Sequence, residues 1–385
     1  MPAPRLLLIG SGHANLLVLE ALARQRLPPA DVVLVSPEPA KVYSAMVPGF
    51  VEGRYRTEEI TVDLRRLALA GESRVVQGRV VRIDPAGKRA VLEDGTELPY
   101  DVAAVAIGGA SPGSDIPGAG EHTFSVKPIA RAIELTEALD RLAEPRPESR
   151  RMAVIGAGAT GVELALCARA RLDRKQASDV IITLLDSRSE LFGGRLPAWS
   201  DLVQRVLAEH DVTLRLGIGV TEVGPDFVRL TDGRVQPADL VLWAAGPRAP
   251  GLFRDSGLPV DNHGFLLVED TLQAQGVPGL FGAGDAVTLA SAPRTPKSGV
   301  FAERMGEMLV TNLRVALAGS GTPRQYRSQA RYLALLNAGD GRALLFYGPV
   351  ALVAGWAMRL KDWVDRRFMT RFRRLMGGTG TPGGA

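Results

Sequence analysis

The chain has 385 residues, 46% of them hydrophobic, 43 glycines and a formal net charge of +4. That length exceeds a typical single domain and that apolar share excludes a disordered chain, so two packed domains are expected. A single cysteine, Cys167, excludes an internal disulfide, a redox-active cysteine pair and a cysteine-built zinc or iron–sulfur centre.

Cys167 sits in an apolar helical stretch, VELALCARA, with no neighbouring histidine, and reads as a packed small hydrophobe. A cysteine-poor chain fits a reducing cytoplasm. The opening MPAPRLLLIGSG is too short in apolar residues for a signal peptide. No apolar run approaches the ~18–20 residues that span a bilayer, so an integral membrane protein is not expected. The four histidines, His13, His122, His210 and His263, are dispersed and suggest no metal site.

Residues 5–15 read RLLLIGSGHAN: an apolar strand breaks into glycines, followed by the helical pattern LLVLEALARQ and the strand DVVLVS. Gly10 permits the tight turn, and Gly12 lets backbone N–H groups of the loop, His13 and Ala14 included, approach a diphosphate. Asn15 replaces the usual third glycine. Ser36 ends the second strand where a carboxylate is customary, with Glu38 two positions on. SRVVQGRVVRID, RAVLEDGTELPY and DVAAVAIGG then predict a small meander and a further apolar strand.

After the polar turn EPRPES the pattern repeats. Residues 151–161 read RMAVIGAGATG, followed by VELALCARARL and IITLLD. The glycine motif is complete here in Gly156, Gly158 and Gly161, with Thr160 between and Glu163 just beyond. Asp186 ends the second strand, where a carboxylate accepts hydrogen bonds from a ribose 2′-OH and repels a 2′-phosphate. NADH is therefore expected as the donor. Arg188 nearby keeps NADPH as the alternative. VTLRLG, FVRLTDGR and LVLWAAG repeat the strands of the first unit, so an internal duplication of a dinucleotide-binding domain is expected.

The third notable stretch is GFLLVEDTLQAQGVPGLFGAGDA (264–286), followed by the helical SGVFAERMGEMLVTNLRVAL. At the C-terminal end, residues 359–374 hold seven basic and two acidic side chains, a net +5, leaving about −1 for the rest. Trp356, Leu360, Trp363, Val364, Phe368, Phe372 and Leu375 recur there at three- and four-residue spacing, with the arginines opposite. That predicts either a peripheral membrane helix or a helix packed on the first domain or on a second copy in a homodimer. Basic character confined to one tail argues against nucleic-acid binding.

GLFGAGDA (279–286) resembles the second FAD motif of the glutathione-reductase-like flavoproteins with two dinucleotide-binding domains. AVAIGGASP (104–112) and VLWAAGPRAP (241–250), with Gly108 and Gly246, are similar to that group's crossover turns. Within the group the chain resembles type II NADH dehydrogenases. Through GSGHAN, VYSAMVPGFVEG, PKSGVFAERMGEML and KDWVDRRFMTRF it resembles still more the FAD-dependent oxidoreductase fused ahead of selenide, water dikinase.

The resemblance implies two doubly wound α/β domains, the NAD(H) domain (116–252) inserted in an FAD domain (1–115 and 253–325), with a C-terminal cap (326–385). It implies that Gly284 and Asp285 meet the FAD ribityl and diphosphate, and that the helix beginning near Lys297 and Ser298 aims at the flavin pyrimidine edge. Tyr43, Met46 and Pro48 would border the flavin. Glu163 and Lys127 would lie near the reacting rings as candidate catalytic residues. The implied activity is hydride transfer from NADH through FAD to an acceptor, with a quinone expected. Two rivals stand beside it, a slowly reduced redox-responsive binding protein and an accessory reductase of selenium metabolism. Disulfide reductases and sulfide:quinone oxidoreductases need paired cysteines, which VYSAMVPGF lacks. The stretch over the quinone site carries Glu303 and Arg304 where type II enzymes have glutamines.

Overall fold

A computed structural model describes residues 3–110, 116–147, 149–194 and 197–377. Strand β1 (Arg5–Ile9) is apolar and almost wholly buried, as a strand covered on both faces must be. It runs through the first glycine loop into α1 (His13–Ala23). Strand β2 (Asp31–Ser36) lies parallel to β1, with Leu6 opposite Val32. A short helix α2 (Val47–Glu52) follows, stopped by Gly53 at φ +90°. Strand β3 (Arg74–Gln77) adds beyond β2. The strands Val80–Asp84, Arg89–Leu92 and Glu97–Pro99 form the expected antiparallel meander. Strand β4 (Val102–Val105) then pairs with β1 on its other side.

The second unit repeats this plan. Strand β5 (Arg151–Ile155), helix α3 (Ala159–Arg174) and strand β6 (Ile181–Leu185) form its βαβ core. Helix α4 (Pro197–Glu209) leads to β7 (Val212–Arg215), and β8 (Leu240–Trp243) pairs with β5. The sheet order is β7-β6-β5-β8, and a second three-stranded meander spans Val220–Pro237.

Strand β9 (Leu280–Gly282) returns to the first sheet, parallel to β4, giving the order β9-β4-β1-β2-β3. The chain thus leaves the first domain, builds the second and comes back, as an inserted domain requires. The expected boundary after residue 115 falls on residues 111–115, which lie outside the described residues, as does Ser111–Pro112 of the first crossover turn. Helix α5 (Gly299–Ala318) packs along α1, where Gly306 leaves room for Ala14.

The C-terminal cap is an antiparallel sheet of β10 (Leu333–Asn337), β11 (Ala343–Tyr347) and β12 (Val350–Ala354), followed by helix α6 (Gly355–Leu375). The expected division of α6 into one apolar and one basic face is corrected. Phe368 and Phe372 are buried with Met358, Met369, Lys361 and Asp365, whereas Trp356, Trp363 and Val364 are 49%, 57% and 38% exposed. The inward stripe runs 358, 361, 365, 368, 369 and 372, a helical spacing that passes through two charged residues. The arginines also divide. Arg371 reaches Glu20 on α1 at 2.6 Å and Glu307 on α5 at 3.0 Å, and Arg366 reaches Glu59 at 2.8 Å. These pairs latch α6 across the first domain.

Candidate active site

The first loop is tight for steric reasons. Gly10 has φ +84°, and a Cβ on Gly12 would stand 2.4 Å from the Ala106 carbonyl oxygen, which accepts the Gly12 N–H at 2.7 Å. Asn15 is wholly buried. Its side-chain amide donates to the carbonyls of Gly10 at 2.7 Å and Ala104 at 3.2 Å, tying loop to sheet where a third glycine would only allow approach. Ala14 is buried against α5. His13 stands edge-on to Tyr43 at 5.5 Å, and burial followed by Lys41 and Lys127 presses its imidazole down to about 3. Ser36 is buried with its hydroxyl 3.2 Å from that of Ser11, and Glu38 is half-buried two residues beyond.

Met46 and Pro48 are buried at the start of α2, and Tyr43 stacks on Phe368 at 4.5 Å. Across the same cleft, Asp285 Oδ1 and Ser298 Oγ are buried and have no hydrogen-bond partner among the described residues. Buried polar atoms are ordinarily satisfied, so these two await a ligand's hydroxyls or amides. Gly108, at φ +71°, and Gly246 each have nothing within 4 Å of a would-be Cβ, which leaves their loops facing open space. Gly284, at φ +80°, packs on Ala302.

Ser298 begins α5, so the positive end of that helix faces the cleft. Lys297 donates to the Val287 carbonyl at 2.7 Å and lies 3.7 Å over the Phe265 ring. Burial presses it down to about 8, against the pull of Asp285. Lys127 is exposed, and its charge bears on His13, Lys41 and Asp285. Lys41, which carries no sequence signal of its own, is likewise pressed to about 8 by burial and by Lys127. Orphaned acceptors, a glycine cradle and clustered lysines fit a flavin dinucleotide.

The second loop is as constrained. Gly156 has φ +106°, and a Cβ on Gly161 would fall 1.7 Å from the Gly156 carbonyl oxygen. Gly158 faces open space and Thr160 is exposed at the α3 N-terminus, a ready anion site. Asp186 differs from the simple expectation of a free ribose acceptor. Its Oδ2 accepts from the Ala157 N–H at 2.7 Å and from Arg188 Nη2 at 2.8 Å, and its Oδ1 accepts from Arg188 N at 2.9 Å and Nε at 3.0 Å. Burial pushes its carboxyl up, but the Arg188 and Ala157 hydrogen bonds outweigh that and hold it below its usual range.

Glu163 is buried beneath the α3 N-terminus. Its Oε1 accepts the Asn337 N–H at 2.8 Å and lies 3.4 Å from Lys361 Nζ. Lys361 also donates to Asp365 at 3.0 Å and to the Ala45 carbonyl at 3.0 Å, while Asp365 lies 3.3 Å from the Tyr43 hydroxyl. Burial raises both carboxyls against the opposing pull of Lys361, and the carboxylates in turn hold Lys361 charged despite its burial. The sequence presents Lys361 as one of seven basic tail residues; it is 4% exposed and ties the cap to both domains. Its one local signal is the four-residue spacing to Asp365 within the inward stripe. Cys167 is buried and free, and burial pushes its thiol well up.

A family model described as pyridine nucleotide-disulphide oxidoreductase matches residues 4–306, and the chain belongs to that family. Over 371 residues it is 28% identical to the demethylphylloquinone reductase NdbB of Synechocystis sp., a match covering 91% of this chain and 90% of that one. An NADH dehydrogenase-like protein of Mycobacterium tuberculosis is 30% identical over 299 residues, covering 73% of this chain and 72% of that one. The sulfide:quinone oxidoreductase of Aquifex aeolicus shares the fold, with a TM-score of 0.82 and 20% identity over 97% of this chain and 92% of that one.

Proposed function

We propose that the protein is an FAD-dependent NADH oxidoreductase whose acceptor is a quinone. One observation carries this: Glu163 from the second glycine-loop helix, Lys361 from the cap and Tyr43 from the first domain meet in a single buried cluster. That cluster joins the helix of the second glycine loop to the first domain and the cap, which supports a reading in which the two dinucleotides meet beside it. The relatives, a demethylphylloquinone reductase and an NADH dehydrogenase-like protein by name, support the same reaction.

Bound FAD supplies the two-electron carrier. The chain's contribution is position and charge. The loops at Gly10–Gly12 and Gly156–Gly161 hold the two diphosphates, and the α5 N-terminus with Lys297 favours negative charge at the end of the cleft that they face. Asp285 and Ser298 supply the polar partners left open. Glu163 Oε1 accepts the Asn337 N–H and faces the Lys361 ammonium, which fixes a charged floor shared by the helix of the second loop and the cap. With one cysteine in the chain, electrons leave without passing through an internal dithiol.

The test is an anaerobic titration of the purified yellow protein. NADH is expected to bleach the flavin stoichiometrically, and a soluble quinone to restore the colour. A flavin that NADH leaves oxidised sinks the proposal, and bleaching without reoxidation by any quinone removes the acceptor.

We also propose that the cap lies on the cytoplasmic face of the cell membrane. No helix among the described residues is long and apolar enough to cross one. Trp356, Trp363 and Val364 face outward on α6, with Arg367 stacked 5.2 Å over Trp363. Indoles beside guanidinium groups suit an anionic headgroup layer. Co-sedimentation with phosphatidylglycerol vesicles is expected, and Trp356→Ser with Trp363→Ser is expected to weaken it about tenfold. Vesicle binding that ignores both substitutions rules this face out.

A further inference from the structure

Resting on the reading of the first cradle as the FAD site, we propose that the His13 imidazole donates a hydrogen bond to the pyrimidine end of the flavin and steadies the negative charge that builds there on reduction. The place of its ring carries this. His13 opens α1 directly after the first glycine loop, so its backbone belongs to the diphosphate end of the cleft. Its side chain runs the other way. Ala14 meets α5 at Gly306, where a Cβ would stand 2.9 Å from the Ala14 Cα, and Gly306 lies about 10 Å of helix beyond Gly299. His13 Nε2 nevertheless stands 4.0 Å from a Cβ built on Gly299. The imidazole thus reaches back along α5, from the diphosphate loop to the positive end of that helix.

Packing fixes that direction. The ring stands edge-on to Tyr43 at 5.5 Å and tilted to Phe368 at 5.8 Å, so the first domain and the cap hold it from two sides. Neither of its nitrogens has a hydrogen-bond partner among the described residues, and Ser298 Oγ, one residue before Gly299, is likewise open. The charges that bear on the ring are Lys41, two residues before Tyr43, and Lys127; together with burial they keep it neutral. A neutral imidazole offers one N–H, which suits an oxygen that gains charge. A hydride from NADH brings two electrons and one proton, so the flavin is left with one negative charge. An N–H aimed at that charge favours the reduced form over the oxidised one.

The test is a redox titration of the full-length FAD-loaded protein with dithionite and a reference dye, which needs no NADH. His13→Phe keeps a ring between Tyr43 and Phe368 and removes the donor. Its midpoint is expected to fall by about 30 mV, a tenfold shift in the reduced-to-oxidised ratio of a two-electron couple. His13→Gln restores an N–H at similar reach and is expected to keep that ratio within about twofold of the parent's. An unchanged midpoint in His13→Phe overturns the proposal, and so does an equal fall in both variants, because lost packing would move both. If His13→Phe releases FAD, the same tenfold is read as reduced FAD weakening more than oxidised FAD; equal weakening of the two forms places the imidazole at the diphosphate and overturns the proposal. A parent flavin that NADH cannot bleach sinks the oxidoreductase reading and leaves this measurement intact, whereas a parent that binds no FAD sinks both.

Discussion

Gly12→Ala is expected to purify colourless, whereas Gly161→Ala is expected to purify yellow and to resist bleaching by NADH. Gly12 has φ −61° and ψ 164°, a backbone that any residue adopts. The effect is therefore steric and not torsional. A methyl group there would stand 2.4 Å from the Ala106 carbonyl oxygen, inside a loop that the Gly12 N–H already bonds to that oxygen at 2.7 Å. The loop and the end of β4 must separate, and the N–H groups leave the place where a diphosphate needs them.

Gly161 is tighter still, with 1.7 Å between a would-be Cβ and the Gly156 carbonyl oxygen. Helix α3 must withdraw from β5, and its N-terminus moves off the second diphosphate. Overpacking of backbone against backbone costs about 1–3 kcal/mol, and each 1.4 kcal/mol is tenfold in affinity, so NADH should weaken by about 100-fold. Flavin content by absorbance and NADH binding by titration separate the two variants. Equal loss of flavin in both, or none in either, contradicts the assignment of the first loop to FAD and the second to NADH.

Lys361→Met is expected to destabilise the protein by about 3–5 kcal/mol, because it strips the cation from two buried carboxylates. Glu163 and Asp365 are 7% and 6% exposed on their side chains, and the one ammonium serves both. The pH dependence has a definite sign. Burial raises both carboxyls in the folded protein, and removing Lys361 raises them further. The folded variant therefore holds protons that the unfolded chain has released above the ordinary carboxylate range. Its stability falls as pH rises through that range toward neutrality, and the deficit against the parent widens over the same interval. Adding Glu163→Gln and Asp365→Asn should recover part of the loss. Denaturant midpoints at pH 5 and pH 8 check this; a variant as stable as the parent at pH 8 excludes a shared buried cation.

Much of this was legible in the residues themselves. Two copies of an apolar strand, a glycine turn, a helix and a second strand imply two doubly wound domains, because such runs can only be buried on both faces. The need for glycine at 161 follows from the same stretch, since the Gly156 carbonyl that excludes a side chain lies in its own loop, whereas Gly10 and Gly156 are crowded by Ala106–Ile107 and Ala244–Ala245 some 90 to 100 positions later. The return of β9 to the first sheet was implied by the GLFGAGDA motif. Asn15, read as a departure, is the residue whose amide replaces glycine's close approach with three carbonyl contacts.

The sequence by itself therefore determined two dinucleotide cradles and the single thiol that rules out an internal disulfide. Tertiary structure alone decided what those cradles face. Helix α6 carries apolar residues around much of its circumference, so its local pattern allows either face to turn inward. The choice is made by Tyr43, Glu163 and Glu20, which lie some 200 to 350 positions earlier and receive Phe368, Lys361 and Arg371. For the same reason Lys361 reads as a solvated tail residue and is a core cation, and Asp186 reads as a ribose acceptor while its oxygens are already taken. Local spacing fixes which residues share a face; only the folded chain supplies the partner that determines whether a charge on that face is solvated, paired or poised.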